Sequence, residues 1–186
     1  ETITLAIALG ANIPSSSGDP VATLIEVRPL LEKEICKWVQ SFSHKSKSLP
    51  EILSLLRWRW SPLFETKPIG GPSLQPLYIN AVLVVDWPEF SLLKPSQNAA
   101  IDLMHRLLKL EQSFGRVRTE STVKWGPRTL DLDLLGWGEL EMKTKFLTLP
   151  HPRLFSRDFV VIPLAAALNK TANKPHQLEK NSKWQE

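Results

Sequence analysis

The segment 125–135, WGPRTLDLDLL, constrains the fold more than any other part of the chain. It begins with a Gly-Pro pair, which is typical of a turn, and continues as an alternation of leucine and aspartate. Residues two apart on a strand point to the same face. The segment therefore predicts a strand with its leucines in a core and with Asp131 and Asp133 together on the opposite face.

Two neighbouring carboxylates on one face repel each other unless a cation lies between them. Mg²⁺ is the natural partner, because it binds oxygen ligands and often takes one or two carboxylates plus substrate phosphates. The alternative is an edge strand with a solvated acidic face. The residues that flank the pair, beginning with the cation Arg128, favour the metal site.

Composition limits the class of protein. The 186 residues, 42% hydrophobic and 23% charged, fit one globular domain with a real core. A net charge of +4 suits an anionic substrate such as a nucleotide, and no basic run is dense enough to indicate nucleic acid. The single cysteine, Cys36, lies in a helical pattern and is interpreted as a packing residue; it favours a reducing compartment, so we expect a cytoplasmic protein.

Neither a membrane span nor a signal peptide is predicted. No apolar run reaches the length that a transmembrane helix needs. The apolar segment 3–9 lacks the basic lead and the cleavage site of a signal peptide, and is interpreted as a buried strand.

Apolar periodicity predicts alternating strands and helices. The predicted strands are 3–9, the end of 52–64, 78–85 and 130–137, and the predicted helices are 21–42, with a kink or break at Pro29, and 95–114. This order is that of an α+β, ferredoxin-like βαββαβ core, an antiparallel sheet with helices on one face. The other face and the long loops 67–76 and 116–124 are left free for a site.

The remaining segments are predicted to be less regular. Segment 41–50 is polar and basic and is interpreted as a flexible insertion. The chain after Glu139 is predicted to be irregular, with a short apolar helical patch at 160–168. We assign residues 1–168 to one domain and 169–186 to a polar, loosely held tail.

The run 125–135 resembles the signature of the 6-hydroxymethyl-7,8-dihydropterin pyrophosphokinase family. Further matches occur in the family's order at residues 10–12, 66–70, 75–81, 111–118, 149–153 and 157–159. The resemblance covers roughly residues 3–165. It implies transfer of pyrophosphate from ATP to the hydroxymethyl oxygen of a reduced pterin in folate biosynthesis, with release of AMP. It also implies the ferredoxin-like fold, and the absence of a fused synthase or aldolase suggests a stand-alone enzyme.

The resemblance implies roles for individual residues. Those implied for catalysis are Arg116, Arg128, Asp131 and Asp133, the two aspartates holding two Mg²⁺ ions that bridge the ATP phosphates. Those implied for pterin binding are Asn12, Thr66, Lys67, Ile69, Tyr78, Asn80, Trp125 and Phe159. Those implied for ATP binding are Glu111, Arg116, Arg118, Arg128, Leu134, Thr148, His151 and Arg157.

Several of these roles also make chemical sense by residue type. The planar guanidinium of arginine suits phosphate oxygens, and the asparagine amide both donates to and accepts from a pterin edge. Trp125 lies in a polar loop, where it can stack on a flat heterocycle, whereas Trp38, Trp58, Trp60 and Trp137 are interpreted as packing residues. Glu111 either anchors the ATP ribose or orders the site from behind, although a glutamate at a helix end is often simply solvated.

Two other functions are open to an Asp-x-Asp strand on such a sheet. Metal-dependent glycosyltransferases carry the same pair, but they need a larger nucleotide-sugar domain than 186 residues accommodate. An RNA-binding module would use aromatic-rich strands, which are absent, and the paired aspartates would repel a phosphate backbone. We therefore expect a monomer that binds ATP and the pterin, and neither nucleic acid nor a membrane.

Overall fold

The computed structural model describes residues 1–43, 47–119, 121–154, 167, 178–179 and 181–184. Within them three helices and seven strands follow one another along the chain. The elements are β1 (Thr2–Ala11), α1 (Pro20–Phe42), α2 (Leu49–Leu55), β2 (Arg57–Trp60), β3 (Phe64–Thr66), β4 (Tyr78–Pro88), α3 (Gln97–Ser113), β5 (Asp131–Trp137), β6 (Met142–Lys143) and β7 (Thr148–Leu149).

The main sheet is antiparallel throughout. Its strand order is β2-β4-β1-β5, and the short strand β3 pairs with β4 beyond the end of β2. The two long strands β1 and β4 therefore form the centre, and β5, which carries Asp131 and Asp133, lies along the edge of β1. The predicted α+β class is confirmed.

One face of the sheet is covered by helices α1 and α3. Alternate residues of β1, including Leu5, Ile7 and Leu9, lie in one core with the apolar sides of both helices. The interpretation of Trp38 and Trp137 as packing residues is confirmed, since both are buried and their rings meet edge to face at 4.8 Å. Trp60 and Trp58 belong to the same core, the latter at its margin, and Cys36 is buried there too.

Two local predictions need correction. Pro29 does not break α1, which is continuous because residues on both sides of the proline, such as Leu24 and Leu31, are buried in the same core. The alternative, a kink at Pro29, stays a prediction. Part of the predicted flexible insertion forms α2, which begins with a capping box between Ser48 and Glu51. Residues 44–46 lie outside the described part of the chain.

The chain after Glu139 is more regular than predicted. Strands β6 and β7 pair as a small antiparallel hairpin within the segment that was expected to be irregular. Of the predicted apolar patch at 160–168, only Ala167 is described, and it is buried against the sheet face opposite the helices.

The described part of the predicted tail packs on the domain, so the expectation that it is loosely held is wrong for these residues. The Trp184 indole is 4% exposed, and its Nε1–H donates to the Ser61 carbonyl oxygen at 2.9 Å. Its ring lies 5.2 Å from that of Trp60, and the Arg28 guanidinium carbon lies within 4.9 Å of both ring centroids. The boundary between domain and tail stays a prediction.

No helix among the described residues is long and apolar enough to cross a membrane.

Candidate active site

A cavity of about 360 Å³ opens on the sheet face opposite the helices. Its floor is formed by β1, β4 and β5, and its walls by the loops 67–76 and 116–128. The structure thus brings distant parts of the sequence together in one place. The predicted residues that line the cavity are Thr66, Lys67, Ile69, Tyr78, Asn80, Arg116, Arg118, Trp125, Arg128, Asp131, Asp133 and His151.

One end of the cavity combines the two carboxylates with three arginines. Asp131 accepts a hydrogen bond from Arg128 Nη1 at 2.5 Å, and Arg116 Nη1 and Arg118 Nη2 lie 3.5 Å and 3.7 Å from its other oxygen. Asp133 is two residues along the same strand and lines the same cavity. This end of the cavity therefore offers both anion-binding and cation-binding groups.

The electrostatics of Asp133 fit a bound cation. Burial raises the pKa of Asp133 to about 7, and the charges of Asp131 and Glu111 add to the increase. A group of three or more His, Cys, Asp or Glu side chains that could hold a metal does not occur among the described residues. Two carboxylates on one strand face, without a third such side chain beside them among the described residues, fit Mg²⁺ that is also bound by substrate phosphates.

The raised pKa predicts how the stability of the metal-free protein depends on pH. Between about pH 4 and pH 7 the folded protein holds a proton on Asp133 that the unfolded chain has released, since the ordinary value is 3.8. This group therefore makes the free energy of unfolding fall as the pH rises through that window. We expect Asp133→Asn to raise the thermal midpoint in EDTA more at pH 8 than at pH 5. An equal shift at both pH values would contradict the prediction.

The other end of the cavity is suited to a flat polar ligand. Asn80 and Tyr78 lie on the same face of β4, as predicted for residues two apart. The Asn80 Nδ2 donates to Thr66 Oγ1 at 2.6 Å, and the Tyr78 hydroxyl donates to the Gly126 carbonyl oxygen at 3.2 Å. Trp125 stands at the mouth, 36% exposed.

Two cationic side chains lie close to the Trp125 ring. Lys124 Nζ lies 4.9 Å from its centroid, and the Arg153 guanidinium carbon lies 5.2 Å from it. Such contacts favour the ring faces, which are electron-rich. Arg153 lines the cavity although no role was predicted for it, and its place two residues after His151 in a matched motif was the available signal.

Glu111 is buried behind the site and does not line the cavity. Its Oε1 accepts from the Leu132 amide at 2.8 Å and its Oε2 from Arg118 Nη2 at 2.9 Å, so it connects α3 to β5 and to an arginine of the site. Burial, and after it the charge of Asp131, raises the pKa of Glu111. It is not the solvated glutamate that is common at helix ends, and this geometry supports the interpretation that it orders the site. A contact with ATP stays a prediction.

Replacing Glu111 tests whether its hydrogen bonds stabilise the connection between α3 and β5. Glu111→Ala leaves the buried Leu132 amide without an acceptor and opens a small cavity, so we expect a loss of about 2–3 kcal/mol in the free energy of unfolding. Glu111→Gln keeps the acceptor and should stay within about 1 kcal/mol of wild type. Urea unfolding of both variants checks the prediction, and equal losses would contradict it.

Asn12 is also buried and lies beside the cavity, not in its lining. Its Oδ1 accepts from the Arg128 amide at 2.7 Å, and its Nδ2 donates to the Pro76 carbonyl oxygen at 3.2 Å. The side chain thereby fixes the backbone of Arg128. The predicted pterin contact of Asn12 stays a prediction.

The remaining predicted residues fall elsewhere. Leu134 is buried in the core on the helix side, and Leu135 lines the cavity, on the same strand face as Asp131 and Asp133. Thr148 lies on β7 and does not line the cavity. Arg157 and Phe159 lie outside the described residues.

The sheet floor also contains residues for which no role was predicted. Ala8 and Gly10 line the cavity from β1, and a Cβ atom at Gly10 would lie 3.1 Å from Asn80 Oδ1. Small residues at these positions leave space for a ligand above the sheet. Their alternation along the first strand was a signal in the sequence that could have revealed them.

Comparison with known proteins decides the family. The family model for 7,8-dihydro-6-hydroxymethylpterin-pyrophosphokinase (HPPK) matches residues 6–169. The chain belongs to the HPPK family. The resemblance found in the sequence is thus confirmed, and the cavity on the open sheet face is that of an HPPK-family domain.

Similar proteins include three bacterial ones named 2-amino-4-hydroxy-6-hydroxymethyldihydropteridine pyrophosphokinase. The protein of Synechocystis sp. is 42% identical over 107 residues, 58% of this chain and 48% of its own length. Those of Haemophilus influenzae and Pseudomonas aeruginosa are each 39% identical over 104 and 105 residues, which cover 56% of this chain and 57% of theirs. The chain spans about half the length of the curated relatives that it matches.

Proposed function

We propose that this protein transfers the pyrophosphoryl group of ATP to the hydroxymethyl group of 6-hydroxymethyl-7,8-dihydropterin and releases AMP, a step of folate biosynthesis. The observation that carries the proposal is the two-ended cavity. It joins an aspartate–arginine end, suited to a metal-bound triphosphate, to an end with an amide, a phenol and an indole, suited to a pterin. Membership in the HPPK family supports the same reaction.

The charged end would bind and orient the triphosphate. The side chains of Arg116 and Arg128 are 9% and 23% exposed beside Asp131. Water therefore screens their charges only weakly. Together with Arg118 they would offset the phosphate charge and hold the β-phosphorus in place. His151 Nδ1 accepts from the Arg153 amide at 3.2 Å, so its Nε2–H would donate to a phosphate oxygen. Transfer of this kind depends mainly on positioning and electrostatics.

The chemical step needs little else from the protein. The hydroxymethyl oxygen attacks the β-phosphorus, the bond from that phosphorus to the oxygen of the α-phosphate breaks, AMP leaves, and the hydroxyl proton passes to solvent. Asp131 and Asp133 would hold two Mg²⁺ ions. When bound, these ions supply neutralisation of the phosphate charge and alignment of the reacting groups.

The pterin end would select the acceptor. Asn80 would bind the pterin's amide edge, with its orientation set by Thr66, and Tyr78 and Trp125 would contact the ring. Lys67 and Ile69 would border the same pocket from the first loop. Phe159 is proposed from the resemblance alone as the residue on the opposite face of the ring.

An assay for AMP tests the proposal directly. The protein is incubated with ATP, Mg²⁺ and 6-hydroxymethyl-7,8-dihydropterin, and AMP is quantified by chromatography. AMP that requires both the pterin and Mg²⁺ is the expected result. A well-folded protein that forms none would reject the proposed reaction.

We also propose that the protein is a cytoplasmic monomer that acts on small molecules and not on nucleic acid. The free, buried Cys36 fits a reducing compartment, and the carboxylates of the cavity disfavour a bound phosphate backbone without metal. Light scattering after size-exclusion chromatography tests the oligomeric state, and a dimer would contradict the proposal.

A further inference from the structure

Gln75 connects the two loops that wall the cavity, although it does not line the cavity itself. Its Nε2 lies 3.0 Å from the carbonyl oxygen of Trp125, which is 50 residues away on the second loop. The same nitrogen lies 3.2 Å and 3.4 Å from the carbonyl oxygens of Pro72 and Gly70 on its own loop. One amide group therefore binds the first loop to itself and to the second loop.

The two backbones also touch beside Gln75. Gly71 has φ +77°, and a Cβ atom there would lie 2.3 Å from the Trp125 carbonyl oxygen and 2.7 Å from Gln75 Nε2. Only glycine fits this contact. Trp125 has φ +60°, a conformation that a bulky residue keeps only when its surroundings hold it.

The connection continues to Arg128 through Asn12. Asn12 Nδ2 donates to the Pro76 carbonyl oxygen at 3.2 Å and lies 3.5 Å from Gln75 Oε1. Its Oδ1 accepts from the Arg128 amide. The end of the first loop thus contacts Trp125 directly and Arg128 through one intermediate side chain.

We propose that Gln75 is a positioning residue that ties loop 67–76 to loop 116–128 and so sets Trp125 and Arg128 relative to the pterin end of the cavity. The inference rests on the proposed function for its effect on catalysis. Without the Gln75 hydrogen bonds, the two loops have to become ordered when ligands bind. The free-energy cost of that ordering weakens ligand binding and transition-state stabilisation. Gln75 is partly exposed, so its replacement leaves the core intact.

The test uses Gln75→Met, which removes the amide at similar length, and Gln75→Glu, which also places a charge against the Trp125 carbonyl. Gln40→Glu is the matched control, because its Nε2 donates to the Lys47 carbonyl oxygen at 3.2 Å, away from the cavity. The rate of amide hydrogen exchange in residues 121–128 measures how firmly the second loop is held, independently of any reaction. kcat/KM for the pterin and the thermal midpoint are measured on the same proteins.

We expect faster exchange of residues 121–128 in both Gln75 variants, kcat/KM lower by about tenfold, and thermal midpoints no lower than that of the control. Unchanged exchange in Gln75→Met would overturn the inference, and so would faster exchange with wild-type kcat/KM. If the wild-type protein forms no AMP, the proposed function is rejected. Faster exchange in the Gln75 variants would still support the connection between the two loops in that case.

Discussion

Asp131→Asn and Asp133→Asn are each expected to lower kcat/KM for pterin-dependent AMP formation by about 10³ or more. Each substitution keeps the size of the side chain and removes a charge that a Mg²⁺–triphosphate complex would need. The loss should come without unfolding, because both side chains face the cavity while the neighbouring leucines hold β5 in the core. Steady-state kinetics at saturating Mg²⁺ measure the effect.

A control separates the site from a general effect of charge. Asp102 lies on α3 with a side chain that is 39% exposed and paired with Arg106. Asp102→Asn should keep kcat/KM within about twofold of wild type, as surface substitutions usually do. Activity above about a tenth of wild type in Asp133→Asn would show that this carboxylate does not hold an essential metal ion.

Trp184→Ala is expected to lower the free energy of unfolding by about 3–5 kcal/mol, a large loss for a single substitution. The indole is nearly fully buried, packs edge to face on Trp60 and contacts the Arg28 guanidinium, so its removal opens a cavity and frees the end of the chain. In a protein of this size the thermal midpoint should fall by roughly 10 °C. Calorimetry or circular dichroism measures the shift.

Trp184→Phe divides that loss into packing and hydrogen bonding. The phenyl ring retains most of the contact with Trp60 but cannot donate to the Ser61 carbonyl oxygen, which should cost about 1–2 kcal/mol. If Trp184→Ala changed the midpoint by less than about 2 °C, the packing of this segment on the domain would be contradicted.

Most of the charged end of the site could be predicted from the sequence, because it depends on local periodicity. Asp131 and Asp133 face the same way since they are two apart on a strand, and the same rule places Tyr78 and Asn80 together on β4. The capping box formed by Ser48 and Glu51 is also a local sequence pattern. It could have predicted α2, a helix that was not among those predicted. Family resemblance supplied the roles of the arginines, which no local rule assigns.

Other features depended on contacts between distant residues. Glu111 is buried only because β5 returns alongside the end of α3, and its bond to the Leu132 amide has no signature in the sequence. A register shift between β1 and β5 places Trp137 in the same core as Leu134, although the two are three residues apart on the strand. Pro29 remains helical because its neighbours are buried on both sides. These outcomes follow from packing, which overrides local propensity.

The sequence by itself determined the two-faced strands, the helices between them, the acidic pair and the family. The tertiary structure alone decided that Gln75 reaches Trp125 and that Trp184 reaches Ser61, contacts that span 50 and 123 residues. The physical reason is that periodicity acts over a few residues, whereas the partner of a loop or a chain end is set by the sheet order that brings distant backbones together.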